Sequence, residues 1–154
     1  RSYSVTGVQT CALPICRNMS ETKTGALLVI ARKSELQLYA ETGDTIEAET
    51  SSRLLENIFF KNSPLHDGAV IIVNDKIHAA RCVLPVTENI NLPPQYGMRH
   101  RAAVGISEIT DAIVVLVSEE TGKISFVSHG SIKYGVTTQE LKTLLENNLS
   151  SVNK

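Results

Sequence analysis

The sequence predicts a mixed α/β fold of the α+β kind, with a largely antiparallel central sheet flanked by helices. Three observations carry this. Short continuous apolar runs of strand length recur at residues 25–31, 69–73 and 112–117. Turn signals follow two of them, Asn74-Asp75 after the second and Ser118 to Gly122 (SEETG) after the third. Between the runs lie segments whose apolar residues return every three or four positions. Strand pairs joined by tight turns, with helices between them, give a sandwich with antiparallel pairs.

Taken in order, residues 25–31 (GALLVIA) are bounded by Thr24 and by Arg32-Lys33 and read as a buried strand. Residues 46–49 alternate weakly and read as a second, short strand. Ser51 and Ser52 offer an N-cap to a helix with Leu54, Leu55, Ile58 and Phe59 on one face. That helix should stop near Asn62, because Pro64 disfavours helical geometry at Ser63. Residues 69–73 and 76–84 then pair as a hairpin around Asn74-Asp75. Residues 85–96 form a polar loop holding Pro93-Pro94, and a helix starts near Met98 with Ala102, Ala103, Ile106 and Ile109. The strand at 112–117 returns through SEETG as 123–128, and His129-Gly130 turns again. Thr138 opens a final helix with Leu141, Leu144, Leu145 and Leu149 on one face and a near-capping pattern at Thr138 to Leu141. There is no internal repeat and no low-complexity tract.

The 154 residues, 42% hydrophobic and 20% charged, suit one folded domain. A net charge of −1 lacks the basic excess of a nucleic-acid binder. No apolar run approaches the roughly 20 residues of a membrane span. Three cysteines (Cys11, Cys16, Cys82), an odd number without a CxxC pair, argue against a disulfide framework or a zinc site. Residues 1–16 read unlike the rest. They show no helical or strand period, contain two of the cysteines, and resemble translated sequencing-adapter read-through. Their apolar residues form no continuous signal-peptide core. They are expected to be non-native and poorly ordered, which leaves residues 17–154 as the domain and places the true N-terminus elsewhere.

Two clusters could carry chemistry. His66-Asp67-Gly68-Ala69 stands at the entrance to a strand, where an Asp can present a carboxylate to a cleft and Gly lets a ligand approach the backbone. Taken alone, Asp-Gly is equally ordinary turn punctuation. Arg99-His100-Arg101 follows Gly97 at a helix start. Free N–H groups and the helix dipole favour an anion there, and arginines add charge-assisted donors to phosphate oxygens. A solvated, salt-bridged surface turn reads the same way. SEETG is explained by a β-turn, Cys82 and His78 by packing in strands, and His129 by turn chemistry. Tyr39, Tyr96 and Tyr134 have no spacing that singles them out.

The two clusters at this spacing resemble the paired DGA and RHR motifs of diadenylate cyclase domains. Thr24 to Leu27, Arg81 to Pro85, Ser107-Glu108 and Val117 to Gly122 are similar to that family in the same order, so the likeness covers nearly everything after Glu21. It is nearest the branch whose members carry the domain behind N-terminal transmembrane helices, which implies a place at the cytoplasmic face of a bacterial membrane.

The resemblance implies a nucleotidyltransferase that condenses two ATP into cyclic di-AMP, a second messenger, and releases pyrophosphate. Each 3′-hydroxyl attacks the α-phosphate of the facing ATP, so catalysis needs a homodimer. It implies that Asp67 lies near the 3′-hydroxyl and α-phosphate, and that His66 and Asp67 hold a divalent metal. Manganese or magnesium is expected, with cobalt as a further option, since imidazole suits manganese and cobalt better than magnesium. Arg99, His100 and Arg101 grip the triphosphate, Gly68 and Ala69 allow backbone approach, and Ser118 and Glu120 line the cleft. Leu84 lies beside the adenine. Many relatives have Thr where this chain has Met98, so a hydroxyl donor to phosphate is replaced by a thioether. A receptor that binds ATP or a cyclic dinucleotide without turnover shares the anion site, and a metal-dependent hydrolase would make ADP or AMP. No Walker-type glycine loop supports the latter.

Overall fold

The computed structural model describes residues 3–94 and 96–149. Its elements in chain order are α1 (Tyr3–Thr22), β1 (Ala26–Ile30), α2 (Gln37–Ala40), β2 (Asp44–Glu49), α3 (Ser52–Phe59) and β3 (Ala69–Val73). There follow β4 (Lys76–Cys82), α4 (Met98–Ile109), β5 (Ile113–Val117), β6 (Ile124–Ser128), β7 (Ser131–Val136) and α5 (Thr138–Leu149). The strands make one seven-stranded sheet in the order β2-β4-β3-β1-β5-β6-β7. Only β1 and β3 run parallel, and every other neighbouring pair is antiparallel, as the fold class required.

β1 is apolar throughout because both of its faces are covered. Ala26, Leu28 and Ile30 pack with α1, α3 and α5 in one core cluster. Leu27 and Val29 pack with Leu36, Ala40 and the α4 residues Ala103, Val104 and Ile106 in the other. The sheet is thus the middle of three layers. The two tight turns are confirmed by backbone that only permissive residues adopt readily: Asn74 (φ 50°) and Asp75 (φ 68°) join β3 to β4, and His129 (φ 49°) and Gly130 (φ 76°) join β6 to β7. Ser51 caps α3, its hydroxyl accepting from the Leu54 N–H at 3.1 Å.

The structure departs from the sequence reading in four places. Residues 3–22 form α1, and Ala12, Ile15, Cys16 and Met19 are buried in the first core cluster. That set has helical spacing, but three of the four lie within the stretch excluded as foreign, so the stripe was cut. β7, on the sheet's outer edge, alternates exposed Ser131, Lys133 and Gly135 with half-buried Ile132, Tyr134 and Val136, a short period-two pattern that the sequence reading passed over. The four-residue α2 is too short for a periodic pattern. The capping box of α5 lies one residue earlier than expected. The Glu140 N–H donates to Thr137 Oγ1 at 3.0 Å, and the Thr137 N–H donates to Glu140 Oε1 at 2.8 Å. His78 is partly buried in β4, as expected, and its ring is held at both nitrogens, Nδ1 2.7 Å from Glu47 Oε1 and Nε2 3.0 Å from Gln37 Oε1. Cys16 and Cys82 are free and buried. Among the described residues no helix is long and apolar enough to cross a membrane.

Candidate active site

The sheet brings four strand ends to one edge. Ala26 at the start of β1 pairs with Val117 at the end of β5, and Ala69 at the start of β3 pairs with Cys82 at the end of β4. The N-terminus of α4 faces the same edge, and the space between is a cleft of about 540 Å³. Asp67, Gly68, Leu84, Met98, Arg99, His100, Ser118 and Glu120 line it, so segments far apart in sequence converge there. His66, Ala69 and Arg101 are not on its wall. Ala69 is fully buried in the sheet, and the Arg101 carbonyl accepts from the Thr87 N–H at 3.1 Å, which ties the loop after β4 to α4.

Asp67 is exposed, just ahead of β3. Gly68 has φ 119° and lies so close to β4 that a Cβ would sit 2.9 Å from the Arg81 carbonyl carbon, so this turn needs glycine twice over. His66 Nδ1 is 2.8 Å from the Ser63 carbonyl. A carbonyl only accepts, so the proton is on Nδ1 and the Nε2 lone pair is left for a ligand. Near Asp67 stands Arg81, paired through Nε with Asp44 at 3.0 Å. Asp44 first, and Asp67 to a lesser degree, hold the Arg81 guanidinium charge above its ordinary range.

Also lining the cleft, α4 begins without a side-chain cap, since its N-cap is Gly97. Its first-turn N–H groups therefore point out of the helix without a capping oxygen, the arrangement that receives anions. Arg99 lies beside them. Its Nη1 is 3.3 Å from Glu119 Oε1, and its Nε is buried without a protein partner. Gly25 makes room for it: a Cβ there would stand 2.6 Å from Arg99 Nη1. The Gly97 N–H donates to His100 Nδ1 at 3.3 Å, so the neutral ring carries its proton on Nε2. Burial, and then the charge of Arg99, push the His100 pKa below its ordinary 6.5.

This shift has a measurable consequence. Below about pH 6.5 the unfolded chain takes up a proton that folded His100 resists, so this contribution to stability begins to fall there and is lost as pH drops on through the lower folded value. The melting temperature is expected to drop between pH 7 and pH 5, and His100→Gln to flatten that drop. The depressed carboxylates Asp44 and Asp111 act only below 3.8 and do not mimic it. An unchanged slope in the variant would show that another group is responsible.

The remaining walls are turn and apolar surface. Ser118 Oγ accepts from the N–H groups of Glu120 (3.2 Å) and Thr121 (3.3 Å), which leaves its own proton to donate. Cys82 sits in the apolar wall with its thiol pushed up to about 11, by burial first and Asp44 second, which disfavours the thiolate. Val83 and Met98 are 66% and 67% exposed on the rim. Glu119, Gly25 and the apolar wall residues Leu27, Val83 and Val86 were not singled out from sequence. All but Val86 nevertheless lie within the stretches that resemble the family, which is the signal that could have found them.

The charges of the lining are informative. Asp67, Glu119 and Glu120 stand against Arg99 alone, an acidic balance that repels a bare triphosphate. A divalent cation bound at the cleft would reverse this. His66 Nε2 and the Asp67 carboxylate are suitable donors for it. Among the described residues no three His, Cys, Asp or Glu side chains gather as a metal cluster.

Comparison with known proteins points the same way. The chain is 48% identical over 128 residues to the cyclic di-AMP synthase CdaA of Bacillus subtilis, covering 83% of this chain and 47% of that protein. It is 46% identical over 134 residues to a diadenylate cyclase of Listeria monocytogenes, covering 87% of this chain and 49% of that one. It therefore spans about half the length of these relatives. The crystal structure of DacA from Staphylococcus aureus, a double mutant, superposes with a TM-score of 0.90 at 39% identity, covering 92% of this chain and 95% of that one. A hypothetical membrane spanning protein from Bacillus cereus superposes with a TM-score of 0.81 at 39% identity, covering 84% of this chain and 64% of that one. Residues 15–132 match the family described as DisA bacterial checkpoint controller nucleotide-binding (DAC), and the chain belongs to that family.

Proposed function

We propose that the chain is the catalytic part of a diadenylate cyclase, joining two ATP into cyclic di-AMP with release of two pyrophosphates. The observation that supports this is that the Asp67 carboxylate and the uncapped, arginine-flanked start of α4 line one cleft. In this reading the apolar wall at Leu84 receives adenine, and the α4 N–H groups, Arg99 and His100 receive the triphosphate. Arg101, off the wall, holds the helix start in place through its backbone. Asp67 accepts hydrogen bonding from the ribose 3′-hydroxyl and draws off its proton as the α-phosphate is attacked. Arg99 stabilises the charge that gathers on departing pyrophosphate. Manganese or magnesium, held by His66 and Asp67, would supply charge neutralisation at the phosphates. The hydroxyl absent at Met98 is replaced by the free N–H groups around it.

One cleft presents one ATP, and the reaction needs a second in the opposite sense, so two chains must face each other with C2 symmetry. The exposed Val83, Val86 and Met98 give the cleft rim an apolar character suited to such a facing copy. In the intact protein the domain would lie at the cytoplasmic membrane face, behind transmembrane helices. Residues 1–16 remain, on this reading, foreign in origin, and residues 17–154 are the domain. The facing-pair requirement is tested by a dilution series. Cyclic di-AMP formed per chain should fall once the concentration passes below the dimer dissociation constant. A constant specific activity well below that point would overturn it.

A further inference from the structure

His100 is held differently from its arginine neighbours. It is 4% exposed, lines the cleft, and carries its proton on an Nε2 that is buried with no protein partner. Buried donors without partners are uncommon, and one on a cleft wall marks a place for an acceptor from a ligand. Its ring is also enclosed. Tyr96, from the loop before α4, stacks on it at 5.1 Å between centroids and 13° between planes. Tyr134, from the edge strand β7, approaches at 5.8 Å and 40°. The two tyrosines stack on each other at 5.3 Å and 28°, and the Lys123 amino group lies 5.4 Å from the centre of the Tyr134 ring.

We propose that Tyr96 and Tyr134 are positioning residues that clamp the His100 imidazole, so that its Nε2–H is a fixed donor to a phosphate oxygen of the nucleotide. The division of labour follows from geometry. The Gly97 N–H at Nδ1 decides which edge of the ring faces which way, but one bond of 3.3 Å leaves the plane free to tilt. Tyr96 lays one flat face against the ring, and Tyr134, stacked on Tyr96 and meeting the imidazole at 40°, holds that face in place and limits the tilt. A donor aligned before the ligand arrives loses less freedom on binding. The clamp also reaches from the loop after β4 to the far edge of the sheet, so it sets the start of α4 against β7. The inference rests on reading the cleft as a nucleoside triphosphate site.

The test uses the whole chain with Tyr134→Phe, Tyr134→Leu, Tyr96→Phe and Tyr96→Leu. Phenylalanine keeps the ring, while leucine keeps apolar bulk and drops it. Titration with a non-hydrolysable ATP analogue and manganese gives affinity, nitrogen-15 spectra of the His100 ring report its tautomer, and melting curves confirm folding. The Phe variants should bind within about twofold of the parent, and the Leu variants about three- to tenfold more weakly, the size of a lost ring–ring contact. The Leu variants should also show mixed tautomers. Leu variants at both positions that bind like the parent, with the Nε2–H tautomer intact, overturn the clamp even if the parent makes cyclic di-AMP. A parent that binds the analogue but makes another product, with weakened Leu variants, overturns the cyclase reading and leaves the clamp standing.

Discussion

Replacing Asp67 by asparagine is expected to leave ATP bound within about threefold and to lower cyclic di-AMP formation by at least about a hundredfold, the usual share of a proton-transfer group. The carboxylate stands exposed ahead of β3, and no hydrogen bond fixes it to another element among the contacts described. The amide is nearly isosteric, so the Gly68 turn should survive. What changes is the chemistry: an amide neither takes the proton of a hydroxyl nor holds a divalent cation as a carboxylate does. Equilibrium binding of a non-hydrolysable analogue, beside single-turnover product formation, separates the two effects. Undiminished product would remove Asp67 from its assigned role. A parallel loss of binding and turnover would make it a binding residue only.

Arg99→Ala should act on the other half of the ledger, weakening ATP binding by about ten- to a hundredfold, the range for losing a charge-assisted hydrogen bond. Its guanidinium is mostly buried, packs on Gly25 and is held by Glu119 at 3.3 Å, with Nε still open. This arrangement makes a second, sharper expectation. Gly25→Ala adds one methyl that would lie 2.6 Å from Arg99 Nη1, so it should reproduce part of the Arg99→Ala defect while keeping the arginine. Arg99→Lys should recover little, because an ammonium cannot offer the planar pair of donors. Nucleotide affinity measured for the three variants checks this, and a Gly25→Ala variant with parental affinity would show that Arg99 finds another route to the phosphates.

Much of the fold was legible because the sheet is covered on both sides. β1, β3 and β5 are short apolar runs with no alternation, and such runs between turn residues have few other readings. The N-cap at Ser51 and the hairpin at Asn74-Asp75 are local events that side chains and backbone settle within a few residues. What failed was not local. β7 is an edge strand of six residues in which only Ile132, Tyr134 and Val136 are half-buried, an alternation too short to stand out without its pairing to β6. The stripe of α1 crosses from a stretch that reads as foreign into one that does not.

The site divides in the same way. Asp67 and Arg99 were readable only as a pair, through the likeness of the two clusters and their spacing to the family's motifs, since each alone reads as an ordinary turn. The motif also drew in Ala69 and Arg101, whose places in the strand and on the helix keep them from the cleft wall. Gly25, Glu119, Tyr96 and Tyr134 gain meaning only from what lies across from them in space, and no spacing along the chain records that.

The most direct measurement is the product of ATP incubated with the chain and manganese, separated by chromatography and identified by mass. The account predicts cyclic di-AMP, with two pyrophosphates released for each. ADP or AMP, accumulating while no cyclic dinucleotide forms at concentrations where the chain is dimeric, would contradict it.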